Sequence, residues 1–192
     1  MRSEFLALLA PEVILPIVER SGMFTVTVKE TGADAKLRSL EITGLTDEDI
    51  AFTLDYRSSG RLKACFKQLS CYLNVQHDKV NKSCDFVILT RNKGSLIAVV
   101  GDMKSNKPRE SEVRLQLQNS ELFVEYLFSL AKTWHSVKEE LSFKRVCVHS
   151  GKSMIKKRLT RAKRSSNKED GKVHFHSVRG RMARIRLNEL IE

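Results

Sequence analysis

Three stretches in the first sixty residues, MFTVTVKE from Met23, LRSLEITG from Leu37 and IAFTLDYR from Ile50, alternate apolar and polar side chains over five or more positions. A period of two belongs to half-buried strands, and the intervening TGAD and LTDED are turn-forming, so the pattern predicts a small antiparallel meander. Ahead of it, residues 3–20 read as a helix that Pro11 and Pro16 divide into two short pieces. After the SSG break at 58–60, Leu62, Cys65, Phe66, Leu69 and Leu73 recur at helical spacing and predict a helix over about 61–73. CDFVILTRNKGSLIAVVGDMKS, from Cys84, then sets two apolar runs around a turn and predicts a hairpin. A long helix follows over about 110–135, with Phe123, Leu127, Leu130 and Trp134 on one stripe and Tyr126 beside it as core packing. SFKRVCVHS at 142–150 is a further strand, and KVHFHSV with MARIRLNEL predicts one more strand pair.

This order predicts an α/β (α+β) fold with a mixed central sheet flanked by helices. Three segments are expected: an N-terminal helix plus β-meander at 1–60, a core at 61–150, and a C-terminal segment at 151–192 with the strand pair.

The hairpin carries the candidate chemistry. With a Lys93-Gly94 turn, Gly supplying a positive φ, Leu89 faces Ala98, Val87 faces Val100, and Asp85 faces Asp102. Lys104 has the same parity as Asp102 and shares its face. Like charges directly across a strand pair repel unless a cation neutralises them. Carboxylate oxygens with room for water suit Mg²⁺ or Mn²⁺. A three-residue turn over Asn92-Lys93-Gly94 would shift the register, and both acids would then simply end their strands in solvent.

Charge adds a partner. The chain carries a net +11, and residues 151–186 hold thirteen Lys or Arg against Glu169 and Asp170, an excess equal to the whole net charge. A localised basic segment is the footprint of a polyanion, so Lys156, Lys157, Arg158, Arg161, Lys163 and Arg164 are expected to grip nucleic-acid phosphates; the bland alternative is a solvated tail. Only Phe175 in that segment offers a ring for stacking bases, which argues against a single-strand platform. Four scattered cysteines (Cys65, Cys71, Cys84, Cys147) fit reduced thiols in a cytoplasmic protein. Cys147, His149, His174 and His176 fall in two strand-like segments where zinc could be imagined, but alternate strand positions recur by chance. The apolar run Phe5–Val18 is broken by Glu12 and two prolines, so no membrane span is expected. No Gly-x-Ser-x-Gly elbow occurs, and SGKS at 150–153 lacks the first glycine of a phosphate-binding loop.

Asp85 opening a strand, a turn, and an apolar strand closing on Asp102-Met103-Lys104 resemble the D…(D/E)-x-K signature of the PD-(D/E)XK nuclease superfamily, over about residues 61–150. LQLQNS in the following helix is similar to the Gln-Leu of many members. There are departures: Cys84 stands for the proline, Asp102 for the more frequent Glu, and the 61–73 helix lacks an acid that Asp55, Asp78 or Glu12 would have to replace. The resemblance implies a restriction-endonuclease-like core and a metal-dependent endonuclease acting on DNA, in repair, mobile elements or defence. It implies Asp85, Asp102 and the Met103 carbonyl as ligands of one or two Mg²⁺ ions (or Mn²⁺), Lys104 acting on the attacking water and the phosphate, and Gln116 in support. A catalytically silent nuclease-like module in a larger complex, and an RNA binder working through the basic segment, are the alternatives. A homo-oligomer or protein partner would use the N-terminal region.

Overall fold

A computed structural model of the chain describes residues 2–30, 32, 34–56, 74, 80–151 and 172–192. The helix expected at 61–73, Asp78, and all six basic residues from Lys156 to Arg164 lie outside the described residues.

Two mixed sheets and a long helix form three layers. The larger sheet has the order β4-β5-β6-β7-β8, with β4 at Ile50–Phe52, β5 at Phe86–Asn92, β6 at Ser95–Lys104, β7 at Leu141–Ser150 and β8 at Val173–Val178. Its β4, β5 and β6 are antiparallel, whereas β6, β7 and β8 run parallel. The smaller sheet has the order β1-β2-β3-β9, with β1 at Ile17–Arg20, β2 at Met23–Lys29, β3 at Ser39–Leu45 and β9 at Met182–Arg186.

Strand parity sorts the large sheet's side chains into two cores. Val87, Leu89, Leu96, Ala98, Val100 and Cys147 pack against helix α2 (Glu110–His135). The alternate residues Phe86, Ile88, Ile97, Val99, Val146 and Val148 pack against Val26, Val28, Leu40 and Ile42 of the small sheet. Burial on both faces explains why β5 and β6 read as nearly continuous apolar runs. The mixed α/β class thus holds, but a second sheet, not helices, covers one face of the central sheet. Helix α1 (Arg2–Leu6) adds Phe5 to the helix-side core, and helix α3 (Leu187–Ile191) adds Leu187 and Leu190 to the sheet-side one.

Glycine matters at two positions of the hairpin. Lys93 and Gly94 take φ of 51° and 83°, the left-handed pair that a two-residue turn between twisted strands requires. At Gly101 the Phe86 ring lies where a side chain would be, with an added Cβ only 1.9 Å from a ring carbon.

Several expected elements differ. Residues 17–20 form β1 rather than helix, because beyond Pro16 the chain pairs with β2. The segment at Ile50 leaves the meander for β5 in the other sheet, while Ile14 bridges to Phe52 along that edge. The two C-terminal strands are not partners: β8 extends β7 and β9 joins β3. In α2 the buried stripe is Val113, Leu117, Val124, Leu127, Phe128 and Ala131, whereas Trp134 is 74% exposed and Tyr126 58%. The helix carries apolar residues on two faces, and periodicity alone does not say which one meets the sheet.

Candidate active site

The hairpin register holds: Phe86 faces Gly101, Val87 faces Val100 and Leu89 faces Ala98. The ladder ends there: the Asp85 N–H donates to the same Gly101 carbonyl at 3.1 Å, out of step with the regular pairing, so Asp85 sits at the open end of β5 and β6 just outside the register that would face it to Asp102. Asp102 and Lys104, of even parity, share the helix-covered face with Val100.

Around Asp102 the bonds are dense. Its side chain has no exposed surface; Oδ2 meets the Lys104 ammonium at 2.6 Å and Oδ1 accepts from Gln116 Nε2 at 3.0 Å. Gln116 also donates from Nε2 to the Ser83 carbonyl at 2.6 Å and accepts from Lys104 at Oε1, 3.4 Å away. One helix residue therefore ties together the start of β5, the buried acid and the lysine. Met103 enters as a donor: its N–H donates to Asp85 Oδ2 at 2.5 Å. Asp85, Asp102, Lys104, Met103 and Gln116 are thus brought together.

The two carboxyls are linked through the backbone of β6, Asp85 accepting from the N–H of the residue that follows Asp102. Burial first, and then the Asp102 charge, push Asp85 well above the usual carboxylate range, against the Met103 N–H and Lys104. Burial also raises Asp102, opposed by Lys104. For Lys104 burial pulls downward, but the charge of Asp102, its hydrogen bond and Asp85 outweigh it and hold the ammonium above its ordinary value. Of the two acids, Asp85 is thus pushed further toward the neutral form, while Lys104 opposes the same push on Asp102.

This donor set fits a hard divalent cation. Burial raises the proton affinity of both acids, the Asp102 charge raises that of Asp85 further, and a positive charge would offset both effects. Asp85 also lines a cleft of about 600 Å³ walled largely by β1, β2, β3 and β9 of the small sheet and shared with Asp55 and Tyr56. Among the described residues no set of three His, Cys, Asp or Glu side chains is placed to hold a metal ion. Asp55 comes nearest to the third-acid role, since it shares that cleft and its charge acts on Asp102. Glu12 is exposed on the short 3-10 turn Pro11–Val13. Cys147 and His149 face the helix while His174 and His176 share the opposite face with Val146 and Val148, so the four do not form one zinc site.

Other supporting residues were not visible in the pattern. Cys84, where a proline would have had no N–H, donates its N–H to the buried Ser120 hydroxyl at 2.8 Å, pinning α2 to the entry of β5. Beneath the site Arg145 of β7 forms a two-pronged ion pair with Glu121 of α2, Nε to Oε1 at 2.7 Å and Nη2 to Oε2. Cys147, facing Asp102 across β6 and β7, is an apolar wall rather than a nucleophile: burial and then Asp102 push its thiol up to about 12. Among the described residues no helix is long and apolar enough to cross a membrane. The chain matches no protein-family model, and no curated protein and no solved structure is significantly similar to it.

Proposed function

We propose that the chain is a metal-dependent nuclease hydrolysing phosphodiester bonds of nucleic acid, DNA in preference to RNA, on a restriction-endonuclease-like core of PD-(D/E)XK type. The observation that carries this is the convergence of Asp85 and Asp102 at the ends of two adjacent strands, with Lys104 and Gln116 bonded to the same buried carboxylate. A structural role would be served by one acid and one lysine; a second acid that burial forces toward the neutral form costs stability at neutral pH unless a cation meets it.

When bound, Mg²⁺ or Mn²⁺ would lower the pKa of a water and offset charge on the scissile phosphate. Asp85 and Asp102 would hold it, with the Met103 carbonyl as a further oxygen. Gln116 fixes the Asp102 carboxylate through Oδ1 and turns its own Oε1 toward Lys104, so acid and ammonium keep one relative orientation. Lys104 supplies a positive charge that stabilises the growing charge on the phosphoryl oxygens and orients the attacking water. Lys156, Lys157, Arg158, Arg161, Lys163 and Arg164 supply a sequence-independent grip on the backbone. The protein is placed in the cytoplasm, in a repair, mobile-element or defence role. A second copy or a protein partner would dock on the N-terminal region, where Val18, Glu19 and Arg20 of edge strand β1 are exposed.

The second reading, a silent nuclease-like module, is favoured by one observation: among the described residues Asp85 and Asp102 lack a third acid in ligand position. Incubating purified protein with plasmid, linear duplex and structured RNA, each with Mg²⁺, Mn²⁺ or EDTA, separates the two. Cleavage with either metal and none in EDTA is the expected result. Binding without cleavage in every metal condition would leave the silent module.

A further inference from the structure

We propose that His149 and Lys107 form a second phosphate-holding subsite beside Lys104, which receives a backbone phosphate adjacent to the one held at Asp85 and Asp102. The subsite extends the phosphodiesterase reading and rests on it for the identity of its ligand, but not for its existence.

Its placement follows from the parallel pairing of β6 and β7. Lys104 pairs with His149 as Asp102 pairs with Cys147, so His149 sits one strand over on the same helix-side face. Neighbouring strands are about 4.8 Å apart, so the Lys104 and His149 side chains leave the sheet from adjacent positions.

His149 is only 5% exposed, and its buried Nδ1 finds no hydrogen-bond partner among the described residues. That is costly for a polar atom out of water. Nearby, the Cys84 N–H is satisfied by Ser120 and the Gln116 amide by Ser83 and Asp102, whereas His176 Nε2 on the adjacent strand, like His149 Nδ1, has no partner among the described residues. Glycine at 151 keeps side-chain atoms away from Nδ1: a Cβ there would stand 3.3 Å from it and crowd whatever meets it. The Gly151 backbone is itself held, its carbonyl accepting from Ser177 Oγ at 3.0 Å.

The charge beside this atom is positive. Lys107 places its ammonium 5.5 Å above the centroid of the Phe175 ring, and that ring meets His149 edge-on at 6.3 Å and 60°. Burial, and then Lys107, lower the imidazole pKa, so at neutral pH the ring carries one proton that Nδ1 can donate. Lys107 belongs to the loop that leaves β6 and lines a cavity of about 430 Å³ together with Lys104, Ser105 and Asn106. That loop is anchored from across the molecule: the Lys36 N–H donates to Ser105 Oγ and its ammonium to Asn106 Oδ1, both at 2.9 Å. An imidazole N–H and two ammonium groups, Lys107 and Lys104, make a set of donors suited to an anion with several acceptor oxygens and unsuited to a metal ion.

Imidazole ¹⁵N spectra of the wild-type protein in EDTA test this, titrated first with inorganic phosphate and then with a short DNA duplex. His149 Nδ1 is expected to shift with both, and Lys107→Ala and His149→Ala are each expected to weaken duplex binding about tenfold. His149→Asn, whose amide N–H reaches roughly where Nδ1 does, should recover most of that loss, and Asp102→Asn should leave the His149 shift in place. With metal present, His149→Ala should raise KM and leave kcat nearly unchanged. A duplex that binds and is cut while the His149 resonances stay still would overturn the subsite and spare the nuclease. A shifting His149 in a protein that cuts nothing would uphold the subsite and sink the nuclease.

Discussion

Asp85→Asn probes the buried acid pair with almost no change in shape. In the wild type, burial and the neighbouring Asp102 charge push Asp85 well above the usual carboxylate range. The fold therefore binds a proton that the unfolded chain releases near pH 4. With the folded-state pKa raised, the group's contribution to stability is fully present below the unfolded value and is lost as pH climbs through the folded one. Each tenfold increase in proton affinity on folding costs about 1.4 kcal/mol of stability above that pKa. Asn imitates the neutral acid: its oxygen still accepts from the Met103 N–H, and its amide hydrogens point to Asp102 where the acid proton would. The variant should match wild type near pH 4 and exceed it at pH 8 in EDTA by about 1.4 kcal/mol or more, or roughly 3–6 °C in Tm for a chain of this size. A hundredfold excess of Mg²⁺ over its dissociation constant should then add about 2.7 kcal/mol to wild type and little to the variant. Urea unfolding from pH 4 to 8.5, with and without Mg²⁺, reads all of this. If Asp85→Asn is no more stable than wild type at pH 8, the two carboxyls do not repel as described and the reason for a cation at this site disappears.

Lys104→Met should lower cleavage by about 10²–10⁴-fold while duplex binding in EDTA changes little, measured as single-turnover rate against affinity. Gly101→Ala drives a methyl into the Phe86 ring and should destabilise by about 3 kcal/mol or more in chemical unfolding; Phe86→Leu in the same chain should recover part of it. Arg145→Met, which removes the two-pronged partner of the buried Glu121, should destabilise by up to about 3–5 kcal/mol in chemical unfolding, and the Arg145→Met/Glu121→Leu double variant should recover part of that loss. Replacing Lys156, Lys157, Arg158, Arg161, Lys163 and Arg164 with Ser should flatten the slope of log affinity against log salt by about 0.9 per lost phosphate contact; an unchanged slope would make the segment a solubility tail.

The hairpin was legible because its information is local. Alternating parity, one glycine at a tight turn and the distance of each residue from that turn determine which side chains face each other, and the pairings from Asn92 with Ser95 down to Phe86 with Gly101 follow from nothing else. Helix α2 was equally legible in extent, from Glu110 to His135, but not in orientation, since Leu115, Leu122 and Tyr126 make its outer face apolar too. What escaped depends on pairings between distant segments. The parallel neighbours β3 and β9, or β7 and β8, leave no turn signal between them, so KVHFHSV and MARIRLNEL look like a hairpin although each extends a different sheet. His149 was visible only as one of four alternating Cys and His residues. Its position beside Lys104 comes from the β6–β7 register, which the α2 crossover sets and no spacing in the sequence encodes.

The account stands most directly on one comparison, plasmid cleavage by wild type and by Asp102→Asn purified side by side, with Mg²⁺, Mn²⁺ and EDTA. Asn keeps the volume and an acceptor for Gln116 but removes the charge that meets Lys104 at 2.6 Å. The predicted result is metal-dependent cleavage by wild type, none in EDTA, and a loss of about a hundredfold or more in the variant with the fold intact. Equal cleavage by the two proteins, or cleavage that persists in EDTA, would contradict the assignment of Asp85, Asp102 and Lys104 as a metal-assisted phosphodiesterase site.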